Sequence, residues 1–211
     1  MFMKHHITQF VLWLSLLVPA GLQAATGVAG AETGDKAKAQ YAYFEAMRHK
    51  GSGHHAEAFD LLRHAKALDS TLAAAYSEVA GYYFTLRDAV TGYRCLLKAV
   101  DYAPGNRWYI LSAAECARQI RDYSRADSLY GMYLSLRPSD FDILMRRAEV
   151  CLLQGEPGKA LDAYNRFEKQ YGASESTILQ KARIYHLMQA REQSYKEMER
   201  LIAENPRNVS Y

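Results

Sequence analysis

The sequence predicts an all-α fold in which one helix–turn–helix hairpin recurs about five times along the chain. Three observations carry that prediction. Between Tyr76 and Pro104, the residues Tyr76, Val79, Ala80 and Tyr83 form one stripe at helical spacing, and Gly92, Leu96 and Ala99 form a second. Leu86-Arg87-Asp88 is too short to do more than fold the second helix back antiparallel on the first, and Pro104 stops it. The stretch also recurs every 34 residues without a gap. Ala46, Ala80, Ala114, Ala148 and Ala182 are all alanine, and Ala58, Gly92, Ala126, Ala160 and Ser194 are all small. Bulk and punctuation recur in step as well: Leu62, Leu96, Tyr130, Tyr164 and Met198 are large, and Ser70, Pro104, Pro138, Gly172 and Pro206 break or cap helices.

Helix spacing explains the small residues. Packed helices sit ~8–10 Å apart, at a distance set by the side chains where they cross. Alanine or glycine at the crossing lets the two backbones approach, and large neighbours such as Tyr76, Tyr83 and Leu96 fill the space toward the next hairpin. One hairpin cannot bury its own apolar face, so neighbours stabilise one another.

A 34-residue helix–turn–helix period with these small and large positions resembles the tetratricopeptide repeat (TPR) family. The resemblance implies a right-handed α-solenoid of about five repeats: 39–72, 73–106, 107–140, 141–174 and 175–208. The second repeat carries nearly the whole consensus. The first departs most, with Ala42, Glu45 and His49 where large apolar residues are usual. This suits a capping repeat whose packing is supplied by Tyr41, Phe44 and Met47 from a slightly rotated helix. Repeats four and five place Arg147 and Lys181 in the register of Val79.

Ahead of the repeats, residues 1–24 read as a secretory signal peptide. Lys4, His5 and His6 give a basic start, Phe10 to Val18 an apolar core, and Leu22-Gln23-Ala24 a small residue at the cut. The apolar run is shorter than the ~20 residues that span a bilayer; an uncleaved anchor is the other reading. Residues 25–38 are small, polar and glycine-bearing and read as a flexible leader. Helix pairs are then expected at 39–51/55–68, 73–86/89–102, 107–120/123–136, 141–154/157–171 and 175–188/191–204. Asp88, Asn106 and Asp122 are expected as N-caps, Ser139 with Asp142 as a capping-box variant, and Gly155 with Pro157 as a turn. After Pro206, residues 209–211 read as the start of a truncated sixth repeat, so the chain is expected to be a fragment of a longer repeat protein.

Charge and motifs exclude several functions. The net charge of +3 is spread along the chain, without the clustered basic footprint of a nucleic-acid binder. No phosphate loop, nucleophile elbow or carboxylate pair appears, so neither an enzyme nor a cofactor site is expected. Cys95, Cys116 and Cys151 have no metal spacing. Cys151 reads as a buried small hydrophobe, and a Cys95–Cys116 bridge is open. His49, His54 and His55 cluster near the first turn without a fixed-spacing partner and read as solvated. Glu115 and Glu149 read as a solvated helix face.

In the TPR family the first helix of each repeat lines a concave groove that holds an extended peptide or a partner helix. The resemblance places Tyr43, Met47, Phe84, Trp108, Leu111, Arg118, Met145, Arg146 and Arg183 on that surface, with Lys50, Ser77, Glu115, Glu149 and His186 beside them. Tyrosine, tryptophan and arginine dominate interface energetics. The lysine–asparagine clamp by which some relatives grip a carboxylate tail is unmatched, since Tyr43 and Met47 stand where repeat one would supply it. The expected function is a non-catalytic scaffold in the periplasm or at the cell surface of a bacterium, binding a protein or peptide segment. The alternatives are a docking or regulatory portion of a longer enzyme or sensor, and an assembly factor for surface machinery.

Overall fold

The computed structural model describes residues 20–204, with side chains from Thr33 onward. The expected fold class is the one found: the described residues form ten helices and no strand. The helices are α1 (Ala20–Gly51), α2 (His55–Leu68), α3 (Ala73–Thr85), α4 (Ala89–Tyr102), α5 (Arg107–Gln119), α6 (Tyr123–Leu136), α7 (Phe141–Leu153), α8 (Pro157–Tyr171), α9 (Glu175–Leu187) and α10 (Arg191–Glu204). They alternate as first and second helices of successive hairpins. Most of the expected signal peptide and residues 209–211 lie outside the described residues. The expected flexible leader does not appear as one: α1 runs without a break through 25–38. Alanines at 25, 29, 31 and 37 and lysines at 36 and 38 favour a helix there, although Gly27, Gly30 and Gly34 oppose it.

One turn recurs in every hairpin. Gly53, Arg87, Arg121, Gly155 and Gln189, spaced by 34 residues, all have positive φ, between 59° and 80°. The N–H of the following residue donates back five residues: His54 to His49, Asp88 to Tyr83, Asp122 to Ala117, Glu156 to Cys151 and Ala190 to Tyr185, at 2.8–2.9 Å. This is the Schellman closure, in which a left-handed residue lets the chain cap the helix it leaves. Asp88, Asn106 and Asp122 then cap the next helices as expected, accepting from Thr91, Trp108 and Arg125 N–H groups. For α7 the cap is Asp140, which accepts from Ile143, and not Ser139. Ser174 and Thr177 form a further capping box at α9.

The chain divides into two compact units, Met1–Val79 and Ala80–Tyr211. In the first, α1 presents Ala39, Ala42 and Ala46 to Ala58, Leu62 and Ala65 of α2, all buried. Tyr41 and Phe44 do not pack from a rotated helix; they stand 69% and 67% exposed. The alanine row gives α1 a flat inner face that the backbone of α2 can approach, so bulk is not needed there. Lys50 bonds Glu78 at 2.6 Å, and the Lys66 ammonium lies 4.4 Å from the centre of the Tyr76 ring.

In the second unit, Ala80, Ala114, Ala148 and Ala182 are all buried, as are Gly92, Ala126 and Ala160 opposite. At the last crossing the Ser194 hydroxyl donates to the Ala182 carbonyl at 2.9 Å, a direct bond between two residues of the small ladder. A Cβ on Gly92 would sit 2.5 Å from the Phe84 ring, so this ring occupies the space the glycine leaves. Ile110, Tyr130, Val150, Ile178 and Leu201 are fully buried.

Candidate functional site

The first helices carry the residues placed on the binding surface, and the two units present them separately. In the first, Tyr43 and Met47 are half-buried on α1, and Tyr43 meets Phe44 edge to face at 5.7 Å. In the second, Trp108 projects from the first turn of α5, 64% exposed. The Arg107 guanidinium lies 4.9 Å from its ring centre. Leu111 and Met145 share one repeat position on α5 and α7, and both are half-buried. Phe84 is engaged against Gly92, and Arg183 is exposed on α9.

Glu115 brings Arg118 and Arg146 together. Its Oε2 accepts from Arg118 Nε and Nη2 at 3.2 Å each, and its Oε1 accepts from Tyr130 Oη at 2.7 Å and Arg146 Nη1 at 3.0 Å. The carboxylate thus joins α5, α6 and α7. Burial raises the pKa of Glu115, but hydrogen bonds from Tyr130 and Arg118 and the two guanidinium charges outweigh it and hold the group below its ordinary value. Tyr130 moves the other way, pushed up first by burial and then by its bond to Glu115. The expectation of a solvated Glu115 is therefore corrected: it is a half-buried anchor, and only Glu149, one repeat later, is exposed. Arg146 keeps half of its side-chain surface exposed, so a fixed cation faces outward beside Met145.

The charges in the register of Val79 are also satisfied. Arg147 of α7 donates to Asp127 of α6 at 2.6 Å. Lys181 of α9, 5% exposed, lies 2.9 Å from Glu168 of α8 and 2.7 Å from Glu197 of α10. Arg200 closes that group at 3.2 Å from Glu168. Each of these cations thus meets a carboxylate on the second helix of the preceding hairpin, at positions filled elsewhere by Tyr93 and Leu161 or by Val100 and Leu134. Ion pairs here replace apolar contacts at a repeat junction.

Beside Arg147, a cleft of 280 Å³ is lined by Leu144, Ala148, Cys151, Lys159 and Arg166. Ligand atoms of Asp127, Cys151 and Glu156 come within 4.8 Å of one another. Arg147 and Lys159 already neutralise the two carboxylates, with Lys159 Nζ 2.5 Å from Glu156. Burial, followed by the Asp127 charge, pushes the Cys151 thiol up to about 11. A protonated thiol between paired carboxylates suits packing better than a cation site. All three cysteines are buried, and Cys95 and Cys116 are not bridged to each other. The His49 and His54 rings lie 5.7 Å apart, tilted, with no further metal-ligating side chain grouped with them among the described residues.

No family model and no curated protein matches the chain. Solved structures do resemble it. YrrB, described as a TPR protein with an unusual peptide-binding site, superposes with a TM-score of 0.60 at 15% identity over 80% of this chain and 87% of its own. MamA from AMB-1 gives 0.59 at 16% identity over 82% and 94%. Pseudomonas aeruginosa PilF gives 0.50 at 18% identity over 82% and 79%. At these identities the likeness establishes the fold, an α-solenoid of TPR type.

Proposed function

We propose that this protein is a non-catalytic scaffold that binds a protein or peptide segment on the face formed by its first helices. The observation that carries this reading is the α5–α7 surface. There Leu111 and Met145 offer apolar footing at one repeat position, Trp108 is exposed, and Arg146 is oriented by the half-buried Glu115. A guanidinium fixed before binding loses little further freedom when it meets a carbonyl or carboxylate. The likeness to a peptide-binding TPR protein supports the reading. Phe84, Arg118 and Arg183 belong to the same proposed surface in the second unit, and Tyr43 and Met47 to its counterpart in the first. The test is selection of peptides on residues 25–211, followed by titration of the selected sequence. Replacing Trp108 or Arg146 by Ala should each weaken binding at least about tenfold, the loss typical of an interface anchor. Selected peptides that bind both variants as tightly as the parent would move the site elsewhere.

Export to the periplasm or cell surface is part of the proposal and rests on the basic start at Lys4 and the apolar run Phe10 to Val18. Amino-terminal sequencing of the protein from its native host tests it: a mature terminus near Ala25 is expected, and an intact Met1 in a soluble cell extract would contradict it.

A further inference from the structure

Within the second unit, the turns that join first to second helices carry more apolar surface than a turn needs. Leu86 and Val90, then Ile120, then Leu153, then Leu187 and Met188 stand between 43% and 67% exposed on four successive turns. Scattered exposed apolar residues are ordinary, whereas a contiguous set marks a binding surface. These residues recur in register: Leu86, Ile120 and Met188 hold one repeat position, and Leu153 and Leu187 hold the position before it. Neighbouring turns also touch. Gln154, between α7 and α8, donates its side-chain amide to the Tyr123 carbonyl at the start of α6, so two of these turns lie side by side.

Cations stand among these tips, and the anions beside them are engaged. Arg87, Arg121 and Arg191 are exposed, and no carboxylate pairs with them among the described residues. Asp88 and Asp122 accept the Thr91 and Arg125 N–H groups as caps, Glu156 pairs with Lys159, and Glu192 pairs with Lys196 at 2.7 Å. Arg87 and Arg121 hold left-handed backbone, at φ 61° and 63°, where Gly53 and Gly155 fill the same repeat position. Glycine adopts that conformation more readily, yet these two turns carry arginines whose guanidinium groups bond nothing among the described residues. Apolar tips beside unpaired arginines, repeated along one edge, complement a surface that is anionic outside and apolar beneath. A peptide is gripped by a groove or a sheet edge; a line of outward tips meets a plane. We propose that this turn edge docks on the surface of an anionic lipid bilayer. Leu86, Ile120, Leu187 and Met188 enter the headgroup boundary, and Arg87, Arg121 and Arg191 meet lipid phosphates. The proposal does not rest on the first-helix face described above.

The test is flotation of the full chain with vesicles of equal parts phosphatidylglycerol and phosphatidylcholine, and with phosphatidylcholine alone. Binding to the mixed vesicles should be at least about tenfold tighter than to the neutral ones, and should weaken as salt is added. Arg87→Gly with Arg121→Gly suits the backbone at both turns and keeps the fold; it should weaken binding at least about tenfold, since one basic side chain near such a surface is worth about fivefold. Leu86→Ser with Ile120→Ser should weaken it too, whereas Leu136→Ser, at the far end of α6, should not. As a second readout, an environment-sensitive dye attached through the thiol of Met188→Cys should shift to the blue on the mixed vesicles alone; the three native cysteines are buried. Absence of flotation with the mixed vesicles would overturn the proposal. So would equal flotation of the parent and both double variants, because the amino-terminal apolar run would then be the membrane contact. Self-association lost in those variants, without vesicle binding by the parent, would overturn it in favour of a second copy.

Discussion

Replacing Lys181 by Ala tests how the fifth hairpin is held to the fourth. Lys181 is 5% exposed, and its ammonium bonds Glu168 at 2.9 Å and Glu197 at 2.7 Å. Its removal leaves two nearly buried carboxylates facing each other. Breaking a buried pair in this way costs about 3–5 kcal/mol. Arg200 remains 3.2 Å from Glu168 and 3.6 Å from Glu197, but it is 40% exposed and screens them only partly. We therefore expect a loss of about 2–4 kcal/mol in urea unfolding followed by circular dichroism, or roughly 5–15 °C in Tm for a chain of this size. The cost should shrink as pH falls toward 4, because the stranded carboxylates then escape their repulsion by taking up protons. The triple variant Glu168→Leu, Lys181→Met and Glu197→Leu removes all three charges, imitates the apolar junctions at Val100 and Leu134, and should recover most of the loss. A Lys181→Ala variant within about 0.5 kcal/mol of the parent, or a loss that does not vary with pH, would refute the assignment of these charges to a buried junction.

Further outcomes follow from the same geometry. Glu115, Asp127 and Glu168 all sit below their ordinary values of 4.5, 3.8 and 4.5, so each adds stability above its unfolded-state pKa that is lost as pH falls through its folded-state pKa. Thermal stability should accordingly fall progressively below about pH 4.5, and a Tm that stays flat down to pH 2 would contradict the three networks. Asp122→Ala removes the cap of α6 and should cost about 1 kcal/mol, whereas Asp122→Asn should cost much less; equal losses would mean the cap bond contributes little. Cys151, buried and with its thiol near 11, should resist Ellman's reagent in the folded protein at pH 8 and react on denaturation. Rapid reaction of Cys151 in the folded chain would show that the α7–α8 hairpin opens.

Backbone architecture was legible because punctuation and period agree. Asp88, Asn106 and Asp122 announce helix starts, and the second helices begin and end as expected. The first helices of repeats two to five end one residue early, because the left-handed residue of each turn draws the preceding one into the cap. Three features were not legible. The extension of α1 lies in a stretch with no apolar stripe, so nothing periodic marks it. Tyr41 and Phe44 mislead because size alone does not decide which face packs when alanines suffice. The Glu115 anchor is hidden because its partners come from three helices, 3, 15 and 31 residues away in sequence. The junction ion pairs did leave a trace: Arg147 and Lys181 break apolar positions, and so do Asp127 and Glu168 one hairpin earlier. A cation and an anion that depart together from the repeat, on helices that the repeat stacks, predict a junction pair.

The central claim is that small residues at the hairpin crossings set how closely the helices pack. Ala114 is fully buried at such a crossing, and Ala67, on α2, is exposed. Replacing each by Leu and measuring urea unfolding under identical conditions tests the claim directly. Ala114→Leu should lose about 1–3 kcal/mol from overpacking, while Ala67→Leu should stay within about 0.5 kcal/mol of the parent. Equal stability of the two variants would contradict the claim.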